Sequence, residues 1–488
     1  MLAEQRAERL KRWAAAFAVA MSVLPFLLVD HLPLIDLPNH IARLIVREDL
    51  RAGGPLSAFY EWRWVVIPNL AIDLLSVPFV GWVDAETFVN VVAILSVIGV
   101  YGGAIAIDRT LNGARWGISL LTGLIVFHGA LRYGFINYVV SLAFAVPLFA
   151  AWLRCRHRLG VGTVLGFILA GVFVMLMHMF AFGLYAICVA GYELALLLRE
   201  RPWRIGPLRR RLPLLGVAVT LLAPASLVLM GPVSGAVGAT IWSNVRWKLE
   251  ALVAPVFFSQ PWVELPLLAV MGLVIAVGLL AGVVRLHRDM VPVLVLLTLV
   301  FLAMPRMLFG SHFADYRLLC GAAFFVIGSL RFTPRSDLVQ WAGVTLGVLL
   351  LTLRIASIAV EWRAAQTVLH ELDAALDDVP AGSRLLVLRS RPESAYRDRA
   401  APTEHAAVLA AAKRRIFVGN NFAAHAQPLQ LKPAFKDFYH DLTLLPAPLP
   451  LSRYDYLLAI GHPEIPQTPG HQPTLVTSSS SFRLYRVQ

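Results

Sequence analysis

The chain has 488 residues, 58% of them hydrophobic, and a mean hydropathy of +0.69. That leaves too little polar surface for a soluble globular protein and defines a polytopic α-helical membrane protein. The net charge of +13 would suggest a nucleic-acid partner in a soluble chain, but here the basic residues lie mostly in short loops between apolar runs, so they orient the chain in a membrane and no nucleic acid is expected.

The first apolar run, near 13 to 29, follows Arg6, Arg9, Lys11 and Arg12 and has no small-x-small cleavage site after it, which predicts a retained first span. The stretch from Asp30 to Arg51, DHLPLIDLPNHIARLIVREDLR, comes next. Leu37, Ile41, Leu44 and Ile45 recur at helical spacing, so an amphipathic helix is expected from Leu37 to Leu50 with Asp36 at its N-cap. Steps of four and three residues place Asp36, His40 and Arg43 along one face, where a carboxylate beside an imidazole and a guanidinium can act as a general base next to an anion-binding group. The same residues would also serve as a cap and a surface ion-pair ladder. Trp64 to Trp82 is apolar, but Pro68, Pro78 and Asp73 argue against a lipid-facing crossing, and a helix lying along the outer surface is predicted. Residues 30–86 then form one long outer loop.

Further spans are expected near 88 to 107, 116 to 129, 138 to 153, 161 to 177, 180 to 198, 213 to 231, 265 to 284, 290 to 304, 317 to 331 and 339 to 358, about eleven in all. The basic loops Arg154 to Arg158, Arg199 to Arg211 and Arg285 to Arg288, with Arg331 and Arg335, fall on one side. That side is cytoplasmic, which places the N-terminus inside and the C-terminus outside. The outer loops His128 to Tyr138, His178 to Phe180, Gly231 to Glu264 and Pro305 to Arg317 gather the remaining polar residues. Arg132, Asn137 and His178 are candidate substrate-binding residues. Arg317, with Asp315 nearby, is expected to clamp phosphate through its planar fork, and Arg306 to reach lipid headgroups.

After Ala359 the composition changes, which divides the chain into a membrane domain, 1–359, and an outer α/β domain, 360–488. Strands are predicted at Ser383 to Leu388, Arg415 to Val418, Tyr454 to Ile460 and Phe482 to Val487, with helices at Glu361 to Leu376 and Thr403 to Arg414. His405, His425 and His440 have no ligand-like spacing and receive no role. Cys155, Cys188 and Cys320 all lie in the membrane part or at its inner edge, so the outer domain has no disulfide framework. No CxxC, HExxH, Walker loop or GxSxG motif is present to support zinc hydrolysis, nucleotide hydrolysis or hydrolase-elbow chemistry.

The retained first span, the long outer loop with Asp36 and His40 in DLPNHIAR, the multispan bundle and the outer C-terminal domain together resemble the GT-C glycosyltransferases. These include the protein O-mannosyltransferases and the bacterial aminoarabinose transferase of lipid A. ADYRLL, with Arg317, is similar to the arginine-tyrosine element at the head of a late span in that superfamily. The resemblance implies transfer of a sugar from a polyprenyl-phosphate donor to a lipid, glycan or protein acceptor at the outer face of the inner membrane, with inversion. In that reading Asp36 is the catalytic base, while His40, Arg43, Arg132, Asn137, His178 and Arg317 bind substrate. The second outer loop, HGALRYGFINY, holds no carboxylate and Asp36 is followed by Leu37, so neither a metal nor a cofactor is expected. A transporter or flippase of lipid-linked glycans is the alternative. It would call for acids at mid-span and two related halves, whereas few mid-span acids and no repeat are found. A scaffold that only anchors an outer domain would not need about eleven spans.

Overall fold

Apolar runs of this density have to satisfy their backbone groups internally, and helices do so segment by segment. In the computed structural model the chain is mostly helical. It is described over residues 2–113, 118–200, 212–227, 240–258, 261–389, 403–423, 427–438, 449–461, 463, 465 and 472–487. The basic stretch 201–211, residues 231–239 of the outer connection, and His425 and His440 lie outside these ranges.

In chain order the helices are α1 (Leu2–Leu27), α2 (Leu37–Arg51), α3 (Ala71–Ser76), α4 (Ala85–Asn112), α5 (Ile118–Val126), α6 (Gly129–Arg132), α7 (Ile136–Cys155) and α8 (Val161–Met177). They continue as α9 (Met179–Glu200), α10 (Leu212–Ala225), α11 (Val245–Val253), α12 (Pro261–Leu280), α13 (Val291–Ala303), α14 (Ala314–Gly328), α15 (Asp337–Ala374) and α16 (Ala406–Lys413). Among the described residues five helices, α4, α7, α9, α12 and α15, are long and apolar enough to cross a membrane. Because successive helices alternate in direction, the starts of α4, α7, α9, α12 and α14 gather at one end of the bundle with the ends of α1, α8 and α13. The arginine-rich turns gather at the other end, where a short ladder of Val284–Leu286 with Leu330–Phe332 sets Arg285 opposite Arg331.

Helix α15 has 38 residues, about 57 Å at 1.5 Å per residue, against roughly 30 Å of hydrocarbon. The composition change at Ala359 therefore falls inside one continuous helix. Past that point Trp362, Leu369 and Leu372 are buried. The C-terminal residues add a five-stranded mixed sheet in the order Thr474–Ser478, Phe482–Arg486, Tyr456–Ile460, Arg384–Arg389, Phe417–Val418. The first two pairings are antiparallel and the last two parallel.

This sheet is fastened to the loop formed by residues 30–86. Tyr60–Trp62 pairs antiparallel with Leu429–Leu431, Phe59 stacks on Phe417 at 4.4 Å between centroids, and the Tyr60 hydroxyl donates to the Val418 carbonyl at 2.5 Å. Arg415 meets Asp49 at 2.8 Å and Lys413 meets Glu86 at 2.9 Å.

The segment Trp64 to Trp82 does not form the surface helix expected of it. It has no regular secondary structure from Trp64 to Leu70, then makes the six-residue α3 and a 3-10 turn at Val77–Phe79. Pro68 and Pro78 explain the break, since each lacks an amide hydrogen and disfavours helical backbone just before it. Its middle, Ile67 to Ser76, is drawn inward, while Trp64, Val66, Val77, Phe79 and Trp82 stay exposed at the surface. Leu70 N donates to the Leu176 carbonyl at 3.0 Å, Met179 N donates to the Pro68 carbonyl at 3.1 Å, and Asp73 is fully buried. Arg306 departs from its expected lipid role for a similar reason. It is buried, 4.3 Å over the Phe313 ring, and paired with Asp315 at 3.4 Å and Glu250 at 3.6 Å.

Candidate active site

Helix α2 begins at Leu37, where its periodicity placed it, runs one residue further to Arg51, and buries more than its apolar stripe. Asn39, His40, Arg43, Arg47 and Asp49 are buried together with Leu37, Ile41, Leu44 and Ile45. Asp36 occupies the N-cap position but makes no capping hydrogen bond, which leaves its carboxylate available for other work. Its backbone is held instead by the loop before α7: Ile35 N donates to the Arg132 carbonyl at 3.2 Å and Asp36 N to the Tyr133 carbonyl at 3.0 Å. Gly134 makes this approach possible. Its φ is +71°, and a Cβ there would lie 2.6 Å from Asp36 N.

Asp36 opens onto a cavity of about 610 Å³ at the end of the bundle away from the arginine-rich turns. His40, Asn137, Tyr138, His178, Ser311 and Arg317 contribute polar atoms to its wall, and Phe135, Phe180, Phe309 and Phe422 line the rest together with Gln427. Its size is that of a small-molecule site. Among the described residues Asp36 is the only carboxylate in the lining, and Arg317 the only arginine.

Arg317 sits in the first turn of α14 and is 7% exposed. Its guanidinium lies 3.8 Å from the Phe135 ring centroid, and Nη1 donates to the Ser311 hydroxyl at 2.5 Å. The Tyr138 hydroxyl donates to its carbonyl at 2.5 Å, which fixes this turn of the helix. Among the described residues no carboxylate lies within ion-pair distance of Arg317, and its Nε has no hydrogen-bond partner. Asp315, two residues earlier, points elsewhere, to Arg306, Ser243 and Lys248. A buried cation in this state is costly unless an anion joins it. Ser311 reaches Arg317 through a tight hairpin, Met307–Leu308 with Ser311–His312. Both central residues of its turn, Phe309 and Gly310, have positive φ, as a type I′ turn requires.

His178, between α8 and α9, accepts a hydrogen bond from Phe180 N on Nδ1 at 3.2 Å, so its neutral form carries the proton on Nε2. Burial pushes it well below the usual histidine range, with Arg317 and His40 adding to the shift. His40 is likewise driven well down by burial, then by Arg43 and His405. Both rings are therefore neutral donors rather than cations. Arg43 stands behind His40, 3.4 Å from its Nδ1, and donates to Gln427 Oε1 at 3.0 Å and to Asp73 Oδ2 at 2.6 Å.

The structure thus brings Asp36, His40, Asn137, His178 and Arg317 to one cavity, with Arg43 immediately behind it. Arg132 is not brought there. It donates to the Phe258 carbonyl, lies over the Phe257 ring at 5.6 Å, and approaches Glu361 at 3.9 Å. The turn around Gly134 presents backbone carbonyls to Asp36 and sends the Arg132 side chain the other way. Asn137 lines the cavity, but its amide is committed to the outer loop: Oδ1 accepts from Ile72 N at 2.9 Å, and Nδ2 donates to the Asn69 carbonyl at 2.7 Å. Its role is to hold that loop in place. Asp73, Ser311, His405, Phe422 and Gln427 received no site role from the sequence: Ser311 arrives through the local hairpin, and the others by long-range packing that leaves no local pattern.

A mostly helical membrane chain with a polar cavity walled in part by its long first loop and by Phe422 and Gln427 of the C-terminal residues is similar in fold to a solved transferase. The solved structure that carries the comparison is ArnT from Cupriavidus metallidurans in the apo state, the lipid A aminoarabinose transferase. It aligns over 97% of this chain and 97% of its own, with 13% sequence identity and a TM-score of 0.50. At that identity the likeness is one of fold. No protein-family model and no curated protein matches the sequence.

Proposed function

We propose that the chain is a membrane glycosyltransferase that moves a sugar from a polyprenyl-phosphate donor to a hydroxyl of a lipid, glycan or protein acceptor, with inversion and without a metal. In this reading about eleven spans place the cavity and an α/β C-terminal domain on the extracytoplasmic side of the inner membrane, with the N-terminus in the cytoplasm. The observation that carries the proposal is Arg317: a buried guanidinium with no carboxylate partner among the described residues faces a cavity whose described lining holds one carboxylate, Asp36.

Asp36 takes the proton of the acceptor hydroxyl as its oxygen bonds to the anomeric carbon. The bond from that carbon to the phosphate oxygen breaks, and its electrons leave with the polyprenyl phosphate. Arg317 meets the charge that develops there through Nη and Nε, supported by the Ser311 hydroxyl and the Nε2 hydrogen of His178. A dry, fixed cation is most effective at just this point of a displacement. His40, held by Arg43, donates to the sugar. Phe135, Phe180 and Phe309 offer apolar surface to the sugar ring and the first isoprene units.

The test is lipid identification by mass spectrometry on protein purified from membranes. Wild-type protein carries polyprenyl phosphate and Arg317→Gln loses it. Bulk phospholipid alone in both preparations would overturn the reading, and an intact lipid-linked glycan retained by both would favour a flippase.

A further inference from the structure

We infer that His405, supplied by the C-terminal residues, is a positioning residue for Asp36: its Nε2 aims the carboxylate at the acceptor, so the base is complete only while the C-terminal sheet is docked on the first outer loop. This rests on the reading of Asp36 as the base.

Three features of the geometry point to it. Among the described residues, His405 is the one cationic or imidazole side chain within 4 Å of the Asp36 carboxylate, with Nε2 3.5 Å from Oδ1. A separation of this size closes to a hydrogen bond by a small rotation, as catalytic contacts commonly do when substrate arrives. Second, the ring is free to serve this partner. Its Nδ1 is buried without any hydrogen bond, and its edge is steadied by Phe422 at 5.8 Å between centroids. Phe422 meets His40 at the same 5.8 Å and lines the cavity, so one aromatic ring couples the two histidines.

Third, His405 is carried on a packed element rather than a loose loop. It precedes α16, whose residues Ala406 to Ala412 are all buried, and α16 packs on α2, the helix that Asp36 starts. The Tyr60–Trp62 ladder and the Arg415 contact with Asp49 fasten the same unit. The charged and titratable groups near the pair include His40 and Arg43 from α2, His178 from the turn before α9, Arg317 from α14, and Glu404, which precedes His405 and pairs with Arg389 at 3.6 Å. His405 acts on His40, and Asp36 on Arg317.

The experiment reads Asp36 directly and needs no sugar donor. Full-length protein in nanodiscs is treated with N,N′-dicyclohexylcarbodiimide across a pH series, and the adduct on Asp36 is quantified by peptide mass spectrometry. This reagent takes protonated carboxyls, so a donor to the carboxylate suppresses labelling. His405→Asn is expected to raise the labelling of Asp36 at least threefold. His405→Gln tracks wild type, because a glutamine amide nitrogen sits where Nε2 does and an asparagine amide nitrogen where Nδ1 does. If the asparagine variant cannot be recovered, Phe422→Leu, which removes the ring's edge support, is read in the same way. An unchanged profile, or an equal rise at every pH in both histidine variants, overturns the inference. Failure of sugar transfer with a normal labelling result would instead count against the transferase reading alone.

Discussion

Arg43 and Asp73 form an ion pair with 2.6 Å between Nη2 and Oδ2, and their side chains are 1% and 0% exposed. The pair ties α2 to the short helix α3 across the outer loop and sets the wall behind His40. Burial drives Asp73 upward while Arg43 and Arg47 draw it down. The structural consequence is an asymmetry: losing either partner strands the other as a buried, unpaired charge. Asp73→Ala is expected to cost about 3–5 kcal/mol, read as a lower midpoint of chemical denaturation in detergent. The double substitution Arg43→Met with Asp73→Leu should recover most of that loss, since an apolar pair of similar volume removes both charges.

Arg317 is expected to act through its fork rather than its charge. Lysine at 317 keeps the cation but cannot offer Nη and Nε together to a phosphate, nor lie flat on Phe135. Arg317→Lys should lower turnover about 10²–10³-fold, the scale of losing a preorganised charge stabiliser, while the lipid still co-purifies. Near-normal turnover in this variant would return Arg317 to a packing role.

How much of this was legible beforehand depended on the range of the forces involved. Helix α2 could be read because Leu37, Ile41, Leu44 and Ile45 report their burial through local spacing, and Arg317 because it heads an apolar run. The fate of Trp64 to Trp82 was half legible. Its prolines and Asp73 argued against a crossing, but nothing local showed that Asp73 would be drawn inward by Arg43. Arg132 was misplaced because Gly134 reverses the chain beside it, and a side chain's direction after such a turn is set by tertiary packing. His405 was passed over because its spacing to other histidines is not that of a ligand set. Its partner is Asp36, at the other end of the chain, and only the docking of α16 on α2 makes them neighbours.

Gly134 offers a test of how closely the second outer loop must approach Asp36. Alanine there meets two obstacles, a left-handed backbone that costs about 1–2 kcal/mol for a residue with a Cβ and a Cβ 2.6 Å from Asp36 N. The chain has to withdraw, and Asp36 moves with it. Gly134→Ala should therefore lose turnover by tenfold or more, and substrate saturation curves would show the loss in kcat. An active variant with only a lowered melting temperature would mean that Asp36 tolerates displacement.

Acid should weaken the protein through His40 and His178. Both are held well below the usual histidine value when folded, whereas unfolded they protonate near 6.5. Below that pH the unfolded chain binds protons that the folded chain does not, so stability falls as pH drops, by up to about 1.4 kcal/mol per pH unit for each histidine. Melting temperatures between pH 7 and pH 5 should decline, and His40→Gln, which removes one of the two groups, should flatten the decline. An unchanged slope would mean that His40 is already protonated in the folded state.

Asp36 and Asp30 provide the sharpest comparison, because both are aspartates at the mouth of the first outer loop and only one of them faces the cavity. The Asp30 side chain is 80% exposed and meets His370 at 3.3 Å on the outside, whereas Asp36 lines the cavity with Arg317. Asp36→Asn preserves the shape of the side chain. It disturbs neither the backbone contact to Tyr133 nor the fold of α2, since no capping bond is lost. What it removes is the proton acceptor, so lipid should still co-purify while turnover falls by roughly a hundredfold or more, the scale of a general base. Asp30→Asn should be close to wild type. An active Asp36→Asn beside an inactive Asp30→Asn would move the base to the other aspartate and take the role of His405 with it, and full activity in both would mean that no carboxylate of this loop accepts the proton.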